Sequence, residues 1–125
     1  MLRNSIIVLI CAFVAGALRE LLELSFQSPF HWITIIINLA GAFLMGMTYE
    51  YVRIAKKNAA NFSLIAGTGL IGSFTTFSTF ISEIYALAAR QQFLSAVIYL
   101  AVSTFFGILL LVSGKKIVQV VKHAD

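Results

Sequence analysis

The sequence predicts an all-α membrane protein of four transmembrane helices, the third broken near its middle. The prediction rests on the composition, on four long apolar runs that close at charges or turns, and on a dense cluster of glycine and hydroxyl residues within the third run. Sixty per cent of the 125 residues are hydrophobic and 11% are charged, whereas an ordinary soluble domain carries roughly 25% charged residues. A bilayer span takes about 20 apolar residues. Four spans with short loops therefore use the whole length as one transmembrane domain over 1–125, with no room for a soluble catalytic domain, and the chain is expected not to be an enzyme. It has no P-loop that would suggest nucleotide coupling. The net charge of +4 does not indicate nucleic acid, because the basic residues sit at the ends of apolar runs, where positive charge orients helices, and no basic stripe with interleaved aromatics exists.

The first span, about 6–26, begins after Arg3 and turns amphipathic at Arg19, Glu20 and Glu23. One basic residue, an apolar stretch and the small residues Ala15 to Ala17 imitate a signal peptide, but three further spans follow and a retained helix is expected. The single Cys11 lies in this apolar run and reads as a small packing residue. A loop at Ser28 and Pro29 leads to the second span, about 32–51, which starts at the interfacial aromatic Trp32 and is closed by Arg53, Lys56 and Lys57. The third, about 62–89, is interrupted by Gly67, Gly69 and Gly72 and then by five hydroxyl residues between Ser73 and Thr79. These are poor helix formers, so the helix is expected to break there. The fourth span, about 93–112, is closed by Lys115 and Lys116. His31 and His123 fall near interfaces, far apart in sequence, and read as solvated rather than metal-ligating.

Polar groups inside a membrane must find partners or line a wet cavity. Asn38 lies mid-span; Thr34, four residues earlier, shares its helical face, and Gly41 admits close approach of another backbone. Together they read as a polar, tightly packed seam. In the third run a broken helix frees carbonyl and N–H groups that can hold ions. Phe77 and Phe80, three apart, share a face if the chain is helical beyond the break, and Glu83 continues it. Aromatic ring edges carry partial positive charge and can receive an anion without holding it tightly.

The run Gly-Ser-Phe-Thr-Thr-Phe-Ser-Thr-Phe from Gly72 to Phe80, with Glu83 after it, resembles the signature of the Fluc/CrcB family of small fluoride channels. Thr34, Asn38, Gly41 and Phe43 resemble the family's second-helix motif, and Gly16 with Arg19 its first-helix Gly-x-x-Arg. The resemblance covers all four spans in order. It implies passive export of fluoride through the cell inner (plasma) membrane, giving fluoride resistance, and an antiparallel dual-topology dimer with two pores lined by both subunits. It also implies a structural sodium ion at the dimer centre, held by the backbone carbonyls of Gly72 and Thr75. By position, Asn38, Phe77 and Phe80 line the fluoride path, with Thr34, Ser78 and Thr79 nearby. Tyr99 and Ser103 on the fourth helix resemble the start of a polar track that turns apolar at Gly107 and Leu111.

The chemistry agrees with the resemblance. A small, strongly hydrated anion must exchange water for donors; Asn38 offers two N–H groups and each Ser or Thr one O–H. None of the spans places a basic residue at mid-depth. Arg19 either attracts anions to a vestibule or pairs with Glu23 at (i, i+4). Glu83 is either a neutral acid or a hydrogen-bonding group at a helix end. Two other classes stay open: a small proton-coupled cation exporter of dual topology, which needs a deep carboxylate, and a non-conducting accessory membrane subunit. Expected partners are fluoride, membrane lipid and a second subunit. The side with both termini carries Arg3, Arg53, Lys56, Lys57, Lys115, Lys116 and Lys122, the other Arg90 and Arg19. This bias places the termini in the cytoplasm and pulls against dual insertion. A homodimer is nonetheless favoured over a heterodimer with a homologue, because Asn38, Phe77 and Phe80 are all present.

Overall fold

A computed structural model describes residues 2–26, 32–55 and 59–124. Ser28, Pro29, His31, Lys56 and Lys57 lie outside the described residues. Among the described residues four helices are long and apolar enough to cross a membrane. The first, α1, is Leu2–Ser25, and α2 is Trp32–Ile54. The third crossing is divided: α3 (59–74) opens as a short α-helix, Ala59–Phe62, widens into π-helical turns over Ser63–Ile71 and closes with Gly72–Phe74, and α4 follows as Phe77–Ala89. The last helix, α5, is Phe93–Ala124.

Each crossing outruns its apolar run at one end, α1 and α3 at their starts (Leu2 and Ala59) and α2 and α5 at their ends (Ile54 and Ala124). Charge ends a membrane span, whereas a helix ends only where a cap, proline or glycine ends it. Accordingly α5 continues through Lys115 and Lys116 to Ala124, and at 32 residues and about 1.5 Å per residue it outreaches a hydrocarbon core of about 30 Å. Between α4 and α5 the chain reverses in one tight turn. Gln91 takes a left-handed φ of 59°, its N–H donates to the Ala88 carbonyl (2.9 Å), and the Gln92 N–H donates to the Leu87 carbonyl (2.9 Å). This is a Schellman cap with glutamine at the position glycine usually fills.

The break lies later than the glycines suggest. Gly67 and Gly69 remain inside the π-helical turns, where the Gly72 N–H reaches back to the Gly67 carbonyl, five residues earlier. The chain leaves helical geometry only at Thr75 (ψ 149°) and Thr76 (φ −134°, ψ 114°). β-Branched residues tolerate this extended backbone well.

α2 packs mainly on α5, α1 on the π-helical part of α3, and α4 on α5. The α2–α5 contact is close enough to need glycine: a Cβ on Gly46 would stand 2.0 Å from the Leu111 carbonyl oxygen. Elsewhere large apolar side chains face outward, as do Leu9 and Phe13 on α1 and Phe105 and Ile108 on α5. A continuous apolar exterior of this kind suits lipid rather than water, as expected of a multi-pass membrane protein.

Candidate functional site at the helix break

Asn38 on α2 reaches across to the break and binds one residue of it twice. Its Nδ2 donates to the Thr76 carbonyl (3.0 Å), and the Thr76 N–H donates to its Oδ1 (2.8 Å). The Thr75 N–H still donates to the Ile71 carbonyl (3.0 Å), whereas both backbone groups of the extended Thr76 are paired with the Asn38 carboxamide. Behind Asn38, Gly41 leaves the space that Thr75 occupies: a Cβ there would lie 1.9 Å from Thr75 Cγ2.

Thr76 also starts α4. It is 3% exposed; its Oγ1 accepts from the Thr79 N–H (3.2 Å), an N-cap, and its hydroxyl donates to Thr79 Oγ1 (2.9 Å). Ser78 Oγ is 3.5 Å from the same hydroxyl. One turn above Asn38, the Thr34 hydroxyl donates to Glu83 Oε1 (2.8 Å), and the Tyr99 hydroxyl donates to Glu83 Oε2 (2.5 Å). Thr34 and Tyr99 are buried, so Glu83 ties α2, α4 and α5 together through neutral hydroxyls. Of its two sequence-based alternatives, the hydrogen-bonding role is the one observed, although its partners lie on neighbouring helices rather than at a helix end.

The phenylalanines differ. Phe80 is 8% exposed and packs on Tyr99 at a centroid distance of 5.1 Å. Phe77, 6.5 Å from Phe80, is 76% exposed. Between them and α2 and α5 runs an open groove of about 420 Å³, lined among others by Asn38, Thr75, Thr76, Phe77, Phe80 and Ser103. Ser103 Oγ is buried there and has no hydrogen-bond partner. An unpaired buried hydroxyl costs about 1–3 kcal/mol, which a bound anion would offset.

Asn38, Phe77, Phe80 and Ser103 thus share one groove; Thr34 and Tyr99 brace it from behind, and Ser78 and Thr79 flank Thr76. Arg19 is not among the groove's lining residues. It lies on α1, 3.6 Å from Glu23 and 3.8 Å from Glu20, so of its two alternatives the ion pair is the one observed.

The general expectation of a sodium-holding, metal-binding protein is corrected. Among the described residues no group of three or more His, Cys, Asp or Glu could hold a metal ion. The Gly72 carbonyl faces the Thr75 hydroxyl (3.3 Å), which also donates to the Ile71 carbonyl (3.1 Å).

Two residues matter more than the sequence suggested. Thr76 was one hydroxyl among five, and its only local signal is the Thr-x-x-Thr spacing to Thr79 that suits an N-cap. Glu50, near the end of α2, has a side chain that is 0% exposed and ion-paired with Arg53, which is 59% exposed. Both Arg53 Nε (2.9 Å) and Arg53 Nη2 donate to Glu50 Oε1, and Gln119 Nε2 on α5 donates to the same oxygen (3.0 Å). The i, i+3 spacing to Arg53 was a local signal; Gln119 left none.

A family model described as "CrcB-like protein, Camphor Resistance (CrcB)" matches residues 6–115. The chain is 37% identical to "Fluoride-specific ion channel FluC" of Oceanobacillus iheyensis over 99% of this chain and 98% of that protein. It is 42% identical to "Fluoride-specific ion channel FluC 2" of Clostridium acetobutylicum over 74% of this chain and 75% of that protein. A third relative, "Fluoride-specific ion channel FluC 1" of Staphylococcus aureus, is 36% identical over 84% of this chain and 91% of that protein.

Proposed function

The chain belongs to the CrcB-like family, and from that premise we propose that it is a passive, fluoride-selective channel that lets fluoride out of the cytoplasm. The observation that carries this is the groove at the break. It brings an amide donor, an unpaired hydroxyl and two aromatic rings together with no basic side chain among its lining. Donors without a fixed cation can replace the water of a small anion and still release it. Fluoride enters against Asn38 and the ring edges of Phe77 and Phe80 and continues toward Ser103, with Ser78 and Thr79 offering further hydroxyls. Thr34 and Tyr99 hold Glu83 beside the path.

No energy coupling is needed. An inside-negative potential of 100 mV drives a monovalent anion outward by about 2.3 kcal/mol. A proton-coupled cation exporter needs a deep carboxylate that exchanges protons for substrate, whereas Glu83 and Glu50 are both held in hydrogen bonds.

The working unit is a homodimer of antiparallel subunits. The exposure of Phe77 and the openness of the groove leave room for a second copy to complete the path, and the chain carries the complete Asn38, Phe77 and Phe80 set. A minority of inverted chains is then enough despite the charge bias. Labelling a single cysteine at the carboxyl terminus in a Cys11→Ala background from both membrane sides supports this. Labelling from the cytoplasm alone, with no flux until a second subunit is added, contradicts it.

Proteoliposomes test the function itself. Fluoride release without chloride release is expected. Proton-coupled cation uptake would establish the exporter, and silence in both assays the accessory subunit.

A further inference from the structure

Every polar group of Thr76 is used to join two parts of the site. Its N–H and carbonyl are both taken by Asn38 on α2, and its hydroxyl both accepts from and donates to Thr79 on α4. We propose that Thr76 is a positioning residue of the fluoride path, fixing the donors of Asn38 and Thr79 in one arrangement and so setting both the rate and the selectivity of conduction. The inference rests on the channel function proposed above.

Thr75 is still tied to the preceding helix, its N–H donating to the Ile71 carbonyl (3.0 Å), but an extended Thr76 between two helices would by itself form a soft joint, its backbone groups left to find partners elsewhere. Here the joint is stiffened from both sides. A planar carboxamide that pairs through its oxygen and the adjoining N–H has its second N–H fixed in direction as well. That second N–H is the Asn38 donor left for an anion. On the other side, the Thr76 hydroxyl occupies a lone pair of Thr79 Oγ1, so the Thr79 hydroxyl proton is left for another acceptor. The cap also sets where α4 begins, and hence where the rings of Phe77 and Phe80 stand. Thr76 spends its own donor on Thr79, so it acts through its neighbours. Its χ1 is restricted by β-branching, which keeps the hydroxyl on the cap.

The test compares Thr76→Val, which keeps the shape and removes the hydroxyl, with Thr76→Ser, which keeps the hydroxyl. Each is purified at full length, checked for assembly by size-exclusion chromatography and reconstituted. In Thr76→Val we expect initial fluoride efflux to fall about tenfold, as losing a cap and a buried hydrogen-bond partner implies, and the fluoride-to-chloride ratio to fall with it. Thr76→Ser is expected to stay within about twofold of the parent with its ratio intact, since serine caps as well as threonine. A Thr76→Val protein with the parent's rate and ratio overturns the inference, and so does equal loss in both variants, which would show that retaining the hydroxyl does not preserve the path. Hydrogen exchange on the unmodified protein tests the geometry without flux or a variant. The Thr76 and Thr79 amides should exchange far more slowly than free peptide, and free-peptide rates at both overturn the proposal. Absence of fluoride flux in the parent protein would count against the channel function and leave the exchange measurement to judge Thr76.

Discussion

Two buried polar clusters join α2 to the rest of the molecule, and they are built differently. Near the end of α2, Glu50 is fully buried and held by Arg53 and by Gln119 of α5, while Lys115 lies over the Tyr49 ring, 5.0 Å from its centroid. At the break, Asn38, Thr76, Thr34 and Tyr99 make their connections through amides and hydroxyls, with Glu83 as acceptor. The first cluster is an ion pair at a helix end, and beside it Gly46 brings α2 against the α5 backbone. The second borders an open groove containing an unpaired hydroxyl and an exposed ring. A full cation serves as an anchor, whereas in the path of an anion it would bind too well to let go. Neutral dipoles at the break can hold a helix in place and leave the adjoining space passable.

If this division is right, substitutions in the two clusters separate conduction from stability. The largest effect is expected from Asn38→Asp, which keeps the acceptor for the Thr76 N–H, removes the donor to its carbonyl and introduces an acceptor that repels anions when ionised. Fluoride efflux should fall about thirtyfold or more, given an orphaned carbonyl together with the added repulsion. A selective, conducting Asn38→Asp protein would remove Asn38 from the path. Next come Phe77→Ile and Phe80→Ile, which nearly conserve volume and lose the ring edge; flux from an assembled protein should drop about tenfold, the scale of an aromatic contribution of roughly 1 kcal/mol or slightly more. Parental flux in both would show the rings to be packing only.

Most of the fold could be read from the apolar runs, because lipid permits few alternatives to a helix of the right length. The ends could not, since α5 runs past Lys115 and Lys116 to Ala124, tied there to α2 through Gln119 and Glu50. The break falls among the hydroxyls of the expected cluster, at Thr75 and Thr76, while Gly67 and Gly69 stay inside wide helical turns that accommodate them. Within the site, local spacing put Thr34 and Asn38 on one face and Glu83 beyond Phe80. It could not show that Phe80 would be buried on Tyr99 and Phe77 exposed, since that depends on where α5 packs. Glu50 and Gln119 stand 69 positions apart, and no local pattern links them.

The anchor gives a smaller effect of another kind. Glu50→Gln leaves Arg53 without its counter-ion but touches nothing in the groove; the melting temperature in detergent should fall by a few degrees while the fluoride-to-chloride ratio is unchanged. A changed ratio would blur the distinction between the clusters. Smallest of all is Gln91→Gly at the left-handed cap of α4, which should stabilise the protein by no more than about 1 kcal/mol with no change in flux. A clear destabilisation would show that the glutamine side chain holds the turn.

The claim that the groove at the break is the anion path is tested most directly at Ser103, whose hydroxyl is buried there without a partner. In a Cys11→Ala background, Ser103→Cys should conduct fluoride and be silenced by silver ion, which is small enough to reach the thiol. Val97→Cys, at an exposed position on the same helix that is not among the groove's lining residues, should conduct with or without silver. Fluoride efflux that persists in the Ser103→Cys protein after its thiol has been titrated, or equal block of both variants, would contradict the account.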